Sequence, residues 1–151
     1  MAKKFKFKLE ALLKLRRFAE EKCKMKIGSI NKEILERRET IIRLNNDIDL
    51  SFADTEKTLR SATSYGLTLK FHPYFVAGKR AHIQKMEEEI EYFSEQLEEA
   101  KLELAQKRAQ TKVLSNMKET QLKEYKKDIN KRRDSLLEEE VRAWFLRNQK
   151  S

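Results

Sequence analysis

The chain has 151 residues, 39% of them charged, a net charge of +9, three Gly and one Pro. Turns draw heavily on Gly and Pro, so so few of them exclude a sandwich or barrel. Ala, Glu, Lys, Leu and Arg dominate instead, the composition of long helices and coiled coils. No run of about 18 apolar residues is present, so no membrane-spanning helix is expected. The basic opening MAKKFKFKLE has no apolar core or cleavage site of a secretory signal. Cys23 is the single cysteine, which excludes an internal disulfide and suits a reducing compartment.

The first predicted helix runs from about Lys8 to about Ser64. Its apolar series is Ile27, Ile30, Ile34, then Ile41, Leu44, Ile48. These positions step by three and four, a heptad seam with Arg37 as its flaw. The stretch SATSYGLTLKFHP follows, with Gly66 and Pro73. Gly66 suits the left-handed position that closes a helix, and Pro73 suits the first turn of the next. A hinge over about 65–72 and an extended LTLKFH segment are therefore expected. The second predicted helix runs from about Pro73 to about Leu146. Ile83, Met86, Ile90, Phe93, Leu97, Ala100 and Leu104 form its seam, Thr111 and Leu114 continue it, and Lys107 is a flaw. The seam resumes at Leu122, Tyr125 and Ile129 only after a step of four and four, a stutter that relaxes a left-handed supercoil. The fold class is thus all-α: one long antiparallel two-helix coiled-coil hairpin, with both termini at one end.

The flawed seams leave the register open. With no offset, the apolar end of helix 2 (Leu136, Leu137, Val141, Trp144, Phe145, Leu146) has no partner and is a docking face. With an offset, it pairs with Phe5, Phe7, Leu9, Leu12 and Leu13.

Charge is segregated. Residues 1–26 sum to +7, residues 27–100 to −4 and residues 101–151 to +6. A hairpin brings the two basic blocks together, while the acidic block with EEEIEYFSEQLEE at 87–99 lies nearer the loop. Solvated i,i+4 pairs account for high charge but not for its segregation, so an acidic partner is expected. Nucleic acid is the alternative to a protein, although no finger, RNP-like or Gly-rich phosphate motif is present. A structural homodimer is a third reading. Enzymatic activity is not expected: GxxxxGK[ST], GxSxG and HExxH are all missing. His72 is expected to cap helix 2, His82 to lie on its surface and Cys23 to be structural. No metal site, catalytic residue or cofactor is expected.

The opening FKFKLEALLKLRRFAEE resembles the start of the FliJ family of the bacterial flagellar type III export apparatus. That family opens on F-x-F-x-L, continues with L-x-x-L and an Arg-bearing helix, and has an aromatic segment after a mid-chain loop, here HPYFVAGKRAHI. The resemblance implies an antiparallel coiled coil similar to the central-stalk γ subunit of rotary ATPases. It implies a cytoplasmic protein at the inner face of the inner membrane. Its implied partners are the hexameric export ATPase FliI, whose ring assembly it promotes, the export-gate protein FlhA, and export chaperones that it cycles. Nucleic acid is not among them. For the ATPase ring the implied residues are Lys14, Arg16 and Arg17 at the basic start, with Trp144 and Phe145. For the export gate they are Phe75, Lys79, His82 and Met86, with Ile48 and Phe52 on the facing helix. Lys79 stands where the family has an apolar residue, and Met86 where it has a polar one.

Overall fold

The computed structural model describes residues 4–61 and 65–149. Two helices carry almost all of it: α1 over Glu10–Arg60 and α2 over Tyr65–Gln149. They pack against each other as an all-α hairpin. The chain divides into a terminal unit, Met1–Glu21 with Ala105–Ser151, and a central unit, Lys22–Leu104.

In the central unit burial follows the heptad. Cys23, Ile30, Ile34, Leu44 and Ile48 of α1 are buried, as are Val76, Ala100 and Leu104 of α2. Ile30, Ile34 and Ala100 form one cluster, with Ile27, Ile90, Phe93 and Leu97 packed around it. A methyl side chain at position 100 leaves room for the two larger isoleucines opposite. Ion pairs give the direction and register: Lys26 meets Glu103 at 3.8 Å, Arg37 meets Glu89 at 2.7 Å and Lys79 meets Asp47 at 3.3 Å. Numbers rise on α1 as they fall on α2, so the segments are antiparallel.

The terminal unit is built on Leu13, which is wholly buried among Phe7 and Leu114, with Phe5 and Leu9 against them. The segment before α1 alternates exposed Lys4, Lys6 and Lys8 with inward Phe5 and Phe7. Phe5 reaches Tyr125, ring centroids 5.6 Å apart. The amide of Glu10 donates to the Phe7 carbonyl at 3.1 Å and opens the helix. On α2 the half-buried positions run Lys118, Leu122, Tyr125 and Ile129. The step of four and four therefore falls at Lys118, which binds Glu10 at 2.8 Å. That is the level at which α1 begins. Beyond it α2 faces an irregular strap, so a strict coiled-coil period is no longer required.

One open alternative closes and one expectation changes. The pairing of Phe5 and Phe7 with Tyr125 and Leu114 overturns the offset register. Residues 130–149 are all exposed, including Leu136, Leu137, Val141, Trp144, Phe145 and Leu146. The hinge expected over 65–72 is not found there. Residues 65–72 are helical, and Pro73 lies inside α2 rather than at its start. Gly66 does not adopt the left-handed conformation, and Ser64 lies outside the described residues. Packing against α1 is the reason. Half-buried His72 sits 2.9 Å from the Ser51 hydroxyl and edge-on to Phe52, centroids 4.7 Å apart. His72 thus bridges the helices and does not cap one. These contacts favour helix against the local preferences of Gly66 and Pro73.

Pro73 lacks the N–H that would close the bond to the carbonyl of Leu69. It is exposed, so Pro73→Ala adds a hydrogen bond without disturbing the seam. We expect it to raise stability by about 1–2 kcal/mol, part of the roughly 3 kcal/mol intrinsic difference. Urea unfolding followed by helical circular dichroism checks this, and a loss of stability would show that the ring itself is needed.

Candidate functional site

Seen by unit, the charge pattern is sharper than along the sequence. The terminal unit carries 20 Lys and Arg against 10 Asp and Glu, a net charge of +10. The central unit carries 14 against 15, a net charge of −1. All of the chain's positive excess therefore belongs to the terminal unit. Part of its charge is spent on packing: Glu10 with Lys118, and Glu20 with Arg108 at 3.5 Å. The hydrogen bond from Lys118 holds the Glu10 carboxyl below its ordinary range, and the charges of Lys118, Lys14 and Arg17 act in the same direction.

The residues expected to meet an ATPase ring lie in this unit but are not gathered. Lys14 and Arg17 are exposed. Arg16 is half-buried at a seam position and donates from Nη1 to Oε1 of Gln110. Trp144 and Phe145 are exposed on the final turns of α2, rings edge-to-face at 5.2 Å. Leu114 packs with Leu13, and Trp144 lies thirty positions farther along α2. At ~1.5 Å per residue that is about 45 Å. The helix end is thus a separate surface from the basic start, with Leu137 and Val141 continuing its apolar stripe.

The residues expected to meet the export gate lie in the central unit, and they divide by burial. Ile48 is core, Met86 is half-buried on the seam, and Lys79 is tied to Asp47 with its ammonium 5.2 Å from the centre of the Phe75 ring. Phe52, Phe75 and His82 face solvent. Phe52 lines a shallow open groove with His72, Pro73, Val76, Ala77, Arg80, Ala81 and Gln84, whereas Phe75 and His82 do not line it. Sequence reasoning missed the part of His72 and Arg80 in this groove. The signal was available in the heptad phase, which places His72 one step before Val76 on the seam once the region is helical.

Arg37, the flaw of the α1 seam, is a second feature that only the structure explains. Its guanidinium binds Glu33 at 2.6 Å and Glu89 at 2.7 Å and lies 4.5 Å from the centre of the Phe93 ring. The hydrogen bonds to Glu33 and Glu89 raise its pKa further. Among the described residues no polar or charged side chain is buried, and no cluster of His, Cys, Asp or Glu could hold a metal ion. No helix among them is long and apolar enough to cross a membrane. The arrangement suits binding through exposed helix faces.

No curated protein and no solved structure matches the chain. The model of one protein family, described as flagellar FliJ protein, matches residues 5–150. That span takes in the Phe5–Phe7 strap, both helices and the exposed end of α2, and so the chain belongs to the FliJ family of flagellar export proteins.

Proposed function

We propose that the chain is a non-enzymatic coupling factor of the flagellar export apparatus. The terminal unit docks with the ring of the export ATPase FliI and promotes its assembly. The face near the turn docks with the export-gate protein FlhA, and the chain cycles export chaperones. The observation that carries this reading is the coincidence, in the terminal unit, of the whole positive excess with an exposed helix end that bears Trp144 and Phe145. Clustered charge speeds encounter with an acidic surface, and exposed aromatics supply the anchors that dominate interface energy. Lys14 and Arg17 act through charge, and Trp144 and Phe145 through burial. Phe52, Phe75 and His82 are the gate-facing candidates, while Ile48, Lys79 and Met86 hold the helix beneath them.

The test is co-purification with the ATPase together with its hydrolysis rate. Trp144→Ala with Phe145→Ala is expected to weaken binding by roughly tenfold or more, with the thermal melt unchanged because both side chains are exposed. Undiminished binding and stimulation would remove these residues from the interface. The net charge of +10 also supports nucleic-acid binding. Competition by duplex DNA or RNA for the ATPase-bound chain would favour that second reading.

A further inference from the structure

The thirty residues 57–86 contain Lys57, Arg60, Lys70, Lys79, Arg80 and Lys85 and no Asp or Glu. Across this stretch α2 has two apolar faces instead of one. His72, Val76 and Ile83 belong to the seam. Leu67, Phe71, Tyr74 and Gly78 step by four, three and four along a different face, and all are exposed. Leu67 is 66%, Phe71 57% and Tyr74 74% exposed. Among the described residues this second stripe belongs to neither buried core cluster.

Its surroundings say what covers it. Leu67, Phe71 and Tyr74 do not line the open groove formed by Phe52, His72, Pro73 and Val76. Lys70 flanks it and Lys85 continues it, both exposed. The acids on the neighbouring part of α1 are partly neutralised, Asp47 by Lys79 and Glu56 by Arg60 at 2.7 Å. Asp49 and Asp54 are on the other helix. Aromatic and leucine side chains on one face, lysines at its edge and no acid on the segment are the chemistry of a helix lying in a membrane interface. Since no helix of the described residues can cross a bilayer, engagement would be in the plane of the surface.

We propose that the 67–78 face of α2 seats on an anionic lipid bilayer surface. Leu67, Phe71 and Tyr74 enter the boundary between headgroups and acyl chains, and Lys70 and Lys85 meet lipid phosphates. This does not rest on docking to the export gate, since the ligand is lipid alone. Trp144 is the only tryptophan and belongs to the terminal unit. The full chain carrying Phe71→Trp and Trp144→Phe therefore has a single indole on the proposed face.

With vesicles of equal parts phosphatidylglycerol and phosphatidylcholine, the indole emission is expected to shift to the blue and to be quenched by brominated acyl chains. Phosphatidylcholine alone is expected to do neither. Leu67→Ser, Phe71→Ser and Tyr74→Ser together, in the otherwise unaltered chain, are expected to lower partitioning roughly tenfold or more with an unchanged thermal melt. The terminal unit, at +10, will be drawn to the same vesicles by charge. Co-sedimentation with an unmoved indole, or partitioning unaffected by the three serines, would overturn the proposal. So would an indole that ignores vesicles and shifts only with the soluble domain of the export gate, a result that would assign the face to protein and leave the gate reading intact.

Discussion

Leu13→Ala lowers stability by about 2–4 kcal/mol, the cost of a leucine truncated at a site that cannot collapse. Among the described residues Leu13 is the one large side chain wholly out of water. It is covered from one side by Phe7 of the strap and from the other by Leu114 of α2, with Phe5 and Leu9 closing the rim. Its removal loosens three segments together, so the loss is cooperative within the terminal unit. Hydrogen exchange should show protection falling in residues 7–20 and around Leu114. Leu15→Ala is the control, because Leu15 is 64% exposed and its truncation should cost less than about 1 kcal/mol. Equal losses at the two positions would mean that the strap does not seal a core.

Reversing Arg37 to Glu lowers stability by about 2–3 kcal/mol, because it sets a third carboxylate beside Glu33 and Glu89. Removing one partner of a buried pair costs about 3–5 kcal/mol, and the value here is discounted because the Arg37 side chain remains 22% exposed. Exchanging the charges, Arg37→Glu with Glu89→Arg, should recover more than half of the loss, since only the pair with Glu33 stays repulsive. Arg37→Leu has a different outcome. It replaces a charge on an apolar seam by a residue that fits it, so the melt is unchanged or higher. What it removes is the group that specifies alignment, as single polar residues do in coiled coils. Denaturant unfolding of the parent chain, Arg37→Glu, Glu89→Arg and the exchanged double variant measures the coupling between 37 and 89. An absence of recovery in the exchanged variant would show that the two side chains do not recognise each other.

Arg37 shows why part of the fold could be read in advance and part could not. A seam is written in spacing, and spacing is local. Ile30, Ile34, Leu44 and Ile48 announce which side of α1 is buried without reference to any partner, and burial agrees at each. The stutter before Leu122 was legible for the same reason. The register was not legible, because a heptad seam can slide by seven residues and still bury apolar groups. Arg37 and Lys107 looked like flaws that permit sliding. In three dimensions Arg37 meets Glu89, fifty-two positions away, and opposes sliding.

The candidate surfaces divide in the same way. Segregated charge was visible along the chain, but the assignment of +10 to one unit and −1 to the other required knowing that residues 105–151 accompany residues 1–21. Lys14, Arg17, Trp144 and Phe145 could be picked by type, yet sequence could not tell that some 45 Å of helix separates the two pairs. At the turn the local signals pointed the wrong way. Gly66 and Pro73 are breakers by intrinsic preference, and the helix runs through both because Ser51 and Phe52 engage His72 across the hairpin.

By itself the sequence determined that the chain forms two long helices, which faces of them are apolar and that the charge is uneven. These follow from composition and from a period of 3.5, which each helix carries within itself. Only the tertiary structure decided the register, the helical state of residues 65–73, the sealing of Leu13 by the Phe5–Phe7 strap and the exposure of α2 beyond Ile129. Each of these is set by contacts between residues far apart in the chain, whose free energies outweigh local preference without leaving a trace in local spacing.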